Sequence, residues 1–359
     1  MTYSAVREHL ERAVQTGLVP GTVCLIKKNE HIVFHEAFGH ALRRPARNMN
    51  PDTVFDIASL TKLVTTTIIL RLITEEKLSL DDSIPQRLPY IRQYDALNNR
   101  LSEVTVRHLL THSSGLPAWF PFYSRSKEGF YPIMNDIAAQ SAIEENAVYS
   151  DLNFILLGEI IVHETGGSLR EAVDRYIREP LGLRVMHYGP LPPNAHRVAA
   201  TEAGNQFEQA MCRKRDVSFQ NWRNTEQWIQ GEVNDGNCYY YFNGEAGHAG
   251  LFSHARDLVR LADVYRNHGR CEGRTYIDAG LIEQALTDQG EARGLGWQFS
   301  AMFPEGCGHT GFTGTSLWVA PVKGLSVVLL TNRLHSDTPQ SLQAFREELH
   351  QHILQNDIH

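Results

Sequence analysis

Strand-like segments occur at both ends of this 359-residue chain with helical patterns between them, so a single sheet has to be assembled from its two extremities. Residues 21–28 and 31–38 are rich in β-branched and aromatic side chains and flank the turn Lys28-Asn29-Glu30, which predicts an antiparallel hairpin. A second pair, 314–319 and 325–331, brackets Pro321 to Gly324. Alternation in the first pair is imperfect, as expected where helices cover one face. In between, apolar residues recur at helical spacing over 59–76 (Leu63, Leu70, Ile73), 104–110, 151–165 and 168–179, with Gly115-Leu116-Pro117 and Gly166-Gly167 as stops. Residues 1–18 predict an amphipathic surface helix on Val6, Leu10 and Val14, and a last helix follows Pro339 with Leu342, Phe345, Leu349 and Ile353 on one stripe. Residues from about 191 to 250 are rich in Asn, Gln, Gly and aromatic residues with weak periodicity, and predict irregular connections around a cleft. The expected fold is α+β: an antiparallel sheet built from both chain ends and flanked by helices, plus an inserted α-helical subdomain. The sheet domain is expected over 1–80 and 230–359, the helical subdomain over 81–229, and the functional cleft between them.

Composition narrows the function. A formal charge of −7 argues against a nucleic-acid partner, and the one basic cluster, Arg213-Lys214-Arg215, reads as a solvated loop. No run is long and apolar enough for a transmembrane segment. The first residues mix Arg7, Glu8, Glu11 and Arg12 with apolar positions, unlike a signal peptide, so the sequence as it stands is expected to be cytoplasmic; a leader since removed would make it periplasmic or extracellular. Cys24, Cys212, Cys238, Cys271 and Cys307 are scattered and odd in number, which predicts neither a disulfide framework nor a zinc knuckle.

Three short elements concentrate the chemistry. In the first, Ser59 opens the 59–76 helix and Lys62, three residues on, shares its face. The positive end of the helix dipole favours a serine anion and a neighbouring oxyanion. A lysine partly buried there is expected to have a lowered pKa and to take, or help take, the hydroxyl proton. The spacing alone decides little, since Ser124 and Lys127 repeat it in an aromatic loop that opens no helix. In the second, Tyr149-Ser150-Asp151 runs straight into the 151–165 helix. Tyr149 can present its phenol to Ser59 and, as a phenolate near lysines, serve as general base. Asp151 is the N-cap of that helix, the partner that orients Lys62, or both, the cap being the simpler reading. The third is Gly308 to Gly314, whose glycines let a substrate backbone approach as an added edge strand. His309 and Thr310 then face the cleft, and the Phe312 N–H can pair with the Ser59 N–H as an oxyanion hole.

In this order the elements resemble the penicillin-recognising serine enzymes: class C β-lactamases, low-molecular-mass penicillin-binding proteins, and related esterases and D-aminopeptidases. The family pattern Ser-x-x-Lys, Tyr-x-Asn, Lys-Thr-Gly corresponds to Ser59–Lys62, Tyr149–Asp151 and His309–Gly311. Residues 19–21, 109–117, 247–252 and 294–297 also resemble the family, so the likeness spans nearly the whole chain. It implies a β-lactamase/transpeptidase-like fold, with Ser59 as nucleophile and Lys62 and Tyr149 as the proton-transfer pair, the base unassigned between them. It implies substrate contacts from Asp151, His309, Thr310 and Gly311, and no metal or organic cofactor. The implied partner is a small-molecule or peptide substrate: a β-lactam, a D-amino-acid peptide or an ester. Two departures matter. Asp151 stands where the family pattern has asparagine, and His309 stands where it has a lysine suited to a substrate carboxylate. A histidine near its reference pKa of about 6.5 is mostly neutral at pH 7, which argues against a dedicated β-lactamase. The expectation is a penicillin-binding-protein-like hydrolase, a D-alanyl carboxypeptidase or an enzyme acylated by β-lactams. A carboxylesterase or D-aminopeptidase is the alternative, and a catalytically weak sensor of the same fold is the non-enzymatic one, against which the intact Ser59, Lys62 and Tyr149 count.

Rival chemistries find less support. Among 17 histidines, His35 to His40 has one residue too many for a zinc-protease helix, and His163-Glu164 lacks a second histidine. His112 and His248 lie in turns and are expected to be structural hydrogen-bond donors. The Gly-x-Ser-x-Gly elbow, phosphate-loop and dinucleotide-binding glycine patterns are absent.

Overall fold

The computed structural model describes residues 3–142, 146–191 and 197–356. Its main sheet comprises β1 (Gly21–Lys28), β2 (His31–Leu42), β3 (Arg47–Asn48), β4 (Cys307–Thr310), β5 (Ser316–Ala320) and β6 (Leu325–Thr331). Their spatial order is β3-β2-β1-β6-β5-β4, so the two chain ends meet at the β1–β6 pair. That pair is antiparallel, with Cys24 opposite Leu329 and Ile26 opposite Val327. Both faces are covered, which explains the imperfect alternation read from the sequence. Val23, Leu25, Val328 and Leu330 join one core cluster, and Cys24, Ile26, Val327 and Leu329 join the other.

Six helices frame the sheet and the site: α1 (Ser4–Gln15), α2 (Thr61–Thr74), α3 (Asp151–Thr165), α4 (Gln206–Lys214), α5 (Ala255–Arg266) and α6 (Gln343–Asn356). α1 and α6 pack together over one sheet face, burying Val6, Leu10, Phe345, Leu349 and Ile353 against Trp318 and the outward side chains of β1 and β6. α5 lies on the other face against β1, β5 and β6. Met1 and Thr2, part of the expected first helix, lie outside the described residues, as do 192–196 of the expected irregular stretch. The rest of that stretch is mostly irregular, with α4 and a short helix Gly236–Tyr240 inside it.

Three differences from the sequence reading affect the site. Ser59 lies not on the long helix but in a 3-10 turn, Ala58–Leu60, just ahead of α2. The strand expected from 314 starts at Ser316, because Gly314 turns the chain at φ 112° where an added Cβ would lie 2.2 Å from Thr331 Oγ1. A small sheet of Phe55–Asp56, Leu251–Ser253 and His187–Tyr188 was not foreseen; two- and three-residue strands are too short to leave a period. It ties the segment before Ser59 to the end of the 247–252 motif.

That motif reaches the site only because two glycines touch. A Cβ on Gly247 would lie 2.1 Å from Phe154 O and 3.0 Å from Gly158 N, both on α3. Thr65 Oγ1 on α2 donates to Gly247 O at 2.7 Å, so the loop is gripped from both sides. Gly247→Ala is expected to destabilise by about 1–3 kcal/mol, as overpacking does, and to lower activity with it. Urea denaturation and turnover of the purified variant check both.

Candidate active site

Lys62 is fully buried, and its ammonium has three acceptors: Ser59 Oγ at 3.0 Å, Asp151 Oδ1 at 2.7 Å and His248 O at 3.3 Å. An ammonium has three N–H donors, and each is used. The lowered pKa expected from the sequence is therefore not found. Burial does oppose the charge, but the Asp151 carboxylate and the Tyr149 phenol outweigh it and hold Lys62 above the ordinary lysine range. Tyr149 is raised as well: burial is the main cause and Asp151 adds to it, while Lys62 and Ser59 pull the other way. The resting site thus holds a lysine cation, a carboxylate and a neutral phenol around one serine. The Lys62 ammonium lies 4.9 Å from the Tyr149 ring centroid.

The backbone at Ser59 is tightly set. Ala58, just before it, has φ 46°, a left-handed conformation that costs on the order of 1 kcal/mol for a residue with a Cβ. Buried Asp56 holds it there, accepting from Ala58 N at 2.8 Å on one oxygen and from Asn234 N at 2.7 Å on the other. Burial pushes this carboxyl up to about 6. In the sequence Asp56 was only a polar residue ahead of a helix. Gly311 lies against the same segment: its added Cβ would be 2.7 Å from Ile57 O and 3.4 Å from Ala58 Cβ. The third motif therefore abuts the turn bearing Ser59. Phe312 N–H donates to no acceptor among the described residues, and the Ser59 N–H belongs to the first turn of its 3-10 segment, where amides lack intrahelical acceptors.

Asp151 does not cap α3. Ser150 holds the N-cap position without a side-chain cap bond, and the Asp151 carboxylate faces Lys62 instead. His112 fixes the approach of this segment, but as an acceptor: its Nδ1 takes the Ser150 N–H at 3.0 Å, and its ring lies 4.7 Å from the Tyr149 ring. Burial keeps it neutral, well below the usual histidine range. Pro117 O and Ala118 O accept from Ser150 Oγ and Asp151 N, which gives the 109–117 motif its physical task. His248 pairs through Nε2 with Asp235 Oδ1 at 3.1 Å. Asp151, Asp235 and His248 are the one group among the described residues with metal-ligand spacing, their atoms within 4.8 Å of one another. Lys62 already supplies that cluster with a cation.

His309, on β4, is neutral. Burial above all, then Lys62 and Arg293, bring it down to about 3, and its Nδ1 donates to Thr310 O at 2.8 Å. The edge of β4 is open only in part, since Gln298 N donates to Gly308 O and Gly308 N to Gln298 O, both at 2.9 Å. An added strand can therefore pair from Thr310 onward but not at Gly308. The cation missing from position 309 is nearby. Arg293 places its guanidinium 5.6 Å from the Tyr149 ring centroid and has no carboxylate partner among the described residues. Its sequence context, Glu291-Ala292-Arg293-Gly294, carries no signal beyond adjacency to the 294–297 motif. The duplicate Ser124 donates to Pro121 O and meets no lysine.

The buried imidazoles have a consequence for stability. His309, His335 and His350 sit at about 3, about 4 and about 4, all lowered chiefly by burial. Below about pH 6.5 the unfolded chain binds protons at these sites and the folded one does not, so stability falls as pH drops toward 4. Asp56, Glu159, Glu202 and Glu208 act in the opposite sense, since their raised pKa values make the folded state take a proton first. His9, His35 and His112 are lowered too, however, which sets six imidazoles against four carboxyls. Urea midpoints are expected to decline from pH 7 to 4.5. His350→Gln should make the decline shallower, by at most about 1.4 kcal/mol per pH unit.

Comparison with known proteins agrees with this architecture. The beta-lactamase family model matches residues 6–351. The chain is 31% identical to the N-acetylmuramyl-L-alanine amidase of Bacillus subtilis (strain 168), over 92% of this chain and 81% of that one. It is 29% identical to an Escherichia coli (strain K12) protein provisionally named a D-alanyl-D-alanine carboxypeptidase, over 88% and 79% respectively. A class C beta-lactamase from Rhodobacter sphaeroides superposes with a TM-score of 0.73 at 19% identity, covering 98% of this chain and 99% of that one. The chain belongs to the beta-lactamase family and shares the fold and serine-hydrolase character of its members.

Proposed function

We propose that this protein cleaves D-amino-acid peptides, or related acyl donors that end in a free carboxylate, through an acyl-enzyme on Ser59. The observation that carries this reading is Arg293, a guanidinium with no carboxylate partner among the described residues, beside Tyr149 and His309 in the corner from which the family's third-motif lysine is missing. A bidentate guanidinium suits a carboxylate as well as an ammonium does. Ser59 Oγ attacks the carbonyl carbon, and the Ser59 and Phe312 N–H groups receive the developing oxyanion. Lys62, held as a cation by Asp151, steadies Oγ and does not take the proton. Tyr149 acts as the phenolate, formed when the phenol gives its proton to solvent; it accepts the Oγ proton and passes it to the leaving amine. In deacylation it takes a proton from the attacking water and returns it to Ser59 Oγ. Thr310 and Gly311 line the path of the substrate backbone. We place the cleft between the 1–80 and 230–359 portions on one side and 81–229 on the other.

Three outcomes test this. Ser59→Ala should lose activity by on the order of 10⁴-fold or more with the fold intact, read by turnover of a D-alanyl-D-alanine peptide. Arg293→Ala should raise KM for that peptide roughly 10–100-fold, the value of a charge-assisted pair, and leave the peptide's C-terminal amide unaffected. Asp151 raises both Lys62 and Tyr149, so Asp151→Asn should shift the ionisation that limits kcat/KM to lower pH. An unmoved pH profile would remove Asp151 from the mechanism.

A further inference from the structure

Phe207 and Phe312 are the two exposed phenylalanines among the described residues, each 39% exposed, and they touch. Their ring centroids are 4.8 Å apart at 75°, an edge-to-face pair joining α4 to the turn after β4. Scattered apolar side chains on a surface need no explanation, but a contacting aromatic pair at the rim of a cleft does. Neither ring is loosely held. Arg333 donates to Phe312 O at 2.6 Å and stacks its guanidinium 5.4 Å from the Phe312 centroid, while Thr313 Oγ1 donates to Asp56 O at 2.8 Å. On the other side, Phe207 N donates to Glu202 Oε2 at 2.7 Å, Glu208 Oε2 accepts from Gly236 N at 2.8 Å, and Cys212 meets the Tyr123 hydroxyl at 3.0 Å. α4 is thus pinned along its length with Phe207 left outside.

The position of the pair gives it a meaning. Phe312 follows Gly311, whose backbone packs on Ile57 and Ala58, and under the proposed function its N–H meets the oxyanion of the carbonyl that Ser59 attacks. Arg293, Tyr149 and His309 are grouped on the leaving-group side of that carbonyl under the proposed function. The acyl substituent is left to the Phe312 side. We infer that Phe207 and Phe312 form an acyl-side subsite that selects apolar, preferably aromatic, acyl groups. This rests on the Ser59 acyl-enzyme reading and on the leaving-group side that reading gives to Tyr149 and Arg293.

The test uses p-nitrophenyl esters, which need no carboxylate: acetate, butyrate and phenylacetate. The unaltered protein should favour phenylacetate over acetate in kcat/KM by tenfold or more, since apolar pocket contacts discriminate by roughly 10–200-fold. Phe207→Ala should cut that ratio about tenfold, and Phe207→Leu, which keeps an apolar wall, should cut it less, with thermal melting confirming that both variants fold. A ratio near one in the unaltered protein, or the same ratio in Phe207→Ala, overturns the subsite while Ser59-dependent turnover keeps the proposed function standing. Turnover that survives Ser59→Ala overturns both.

Discussion

A buried ammonium organises this molecule. Removing such an ion from water costs several kcal/mol, and the cost is tolerable only where every proton finds an acceptor. Lys62 finds its three on three separate pieces of chain: the turn before α2, the first residue of α3, and the loop at His248. None of these pieces is a neighbour of the others in sequence, so the ion works as a knot between them. The surrounding devices serve the same end: Gly247 against Gly158, Thr65 on the Gly247 carbonyl, and Asp56 on the strained Ala58.

Measured against the family's three motifs, the charges have been rearranged. A carboxylate has been added at Asp151, where it neutralises Lys62, and a positive charge has left position 309. With a neutral histidine donating to its own neighbour's carbonyl, the third motif becomes a shaped wall rather than an ion. Arg293 supplies a cation to the same corner from a different loop, 5.6 Å from the Tyr149 ring centroid. The net effect is a site in which the Lys62 cation beside the serine is paired with Asp151, Asp235 and His248 lie close to that carboxylate, and a second cation, Arg293, stands near Tyr149.

Much of this was legible in the sequence. Period and turn residues were enough for the two strand pairs, because both hairpins are local and bounded by clear breakers. Motif order was enough to bring Ser59, Lys62, Tyr149 and Asp151 together. The role of Asp151 stays divided in the sequence between the cap and Lys62, with the cap favoured, because a helix start is normally enough to explain an aspartate; the burial of Lys62 and its contact with the carboxylate decide for the second. The Lys62 charge was misread for the same reason: burial lowers a lysine, and its counter-ion lies 89 residues away. Arg293, Asp56, Asp235 and Phe207 were passed over because nothing local marks them. Each acquires its meaning from a partner on another element.

The place of β6 in the sheet order sets how the chain can be made. The strand formed by residues 325–331 is not an edge but sits between β1 and β5, some 300 residues downstream of the hairpin it joins. During synthesis the β1–β2 hairpin therefore waits with one edge unpaired until nearly the whole polypeptide has emerged. Folding of this sheet is a late, long-range event, slow by topology and exposed to mispairing in the interval. Quality control in the cell consequently sees an all-or-nothing product, because a chain lacking its last strand lacks the middle of its sheet rather than a margin.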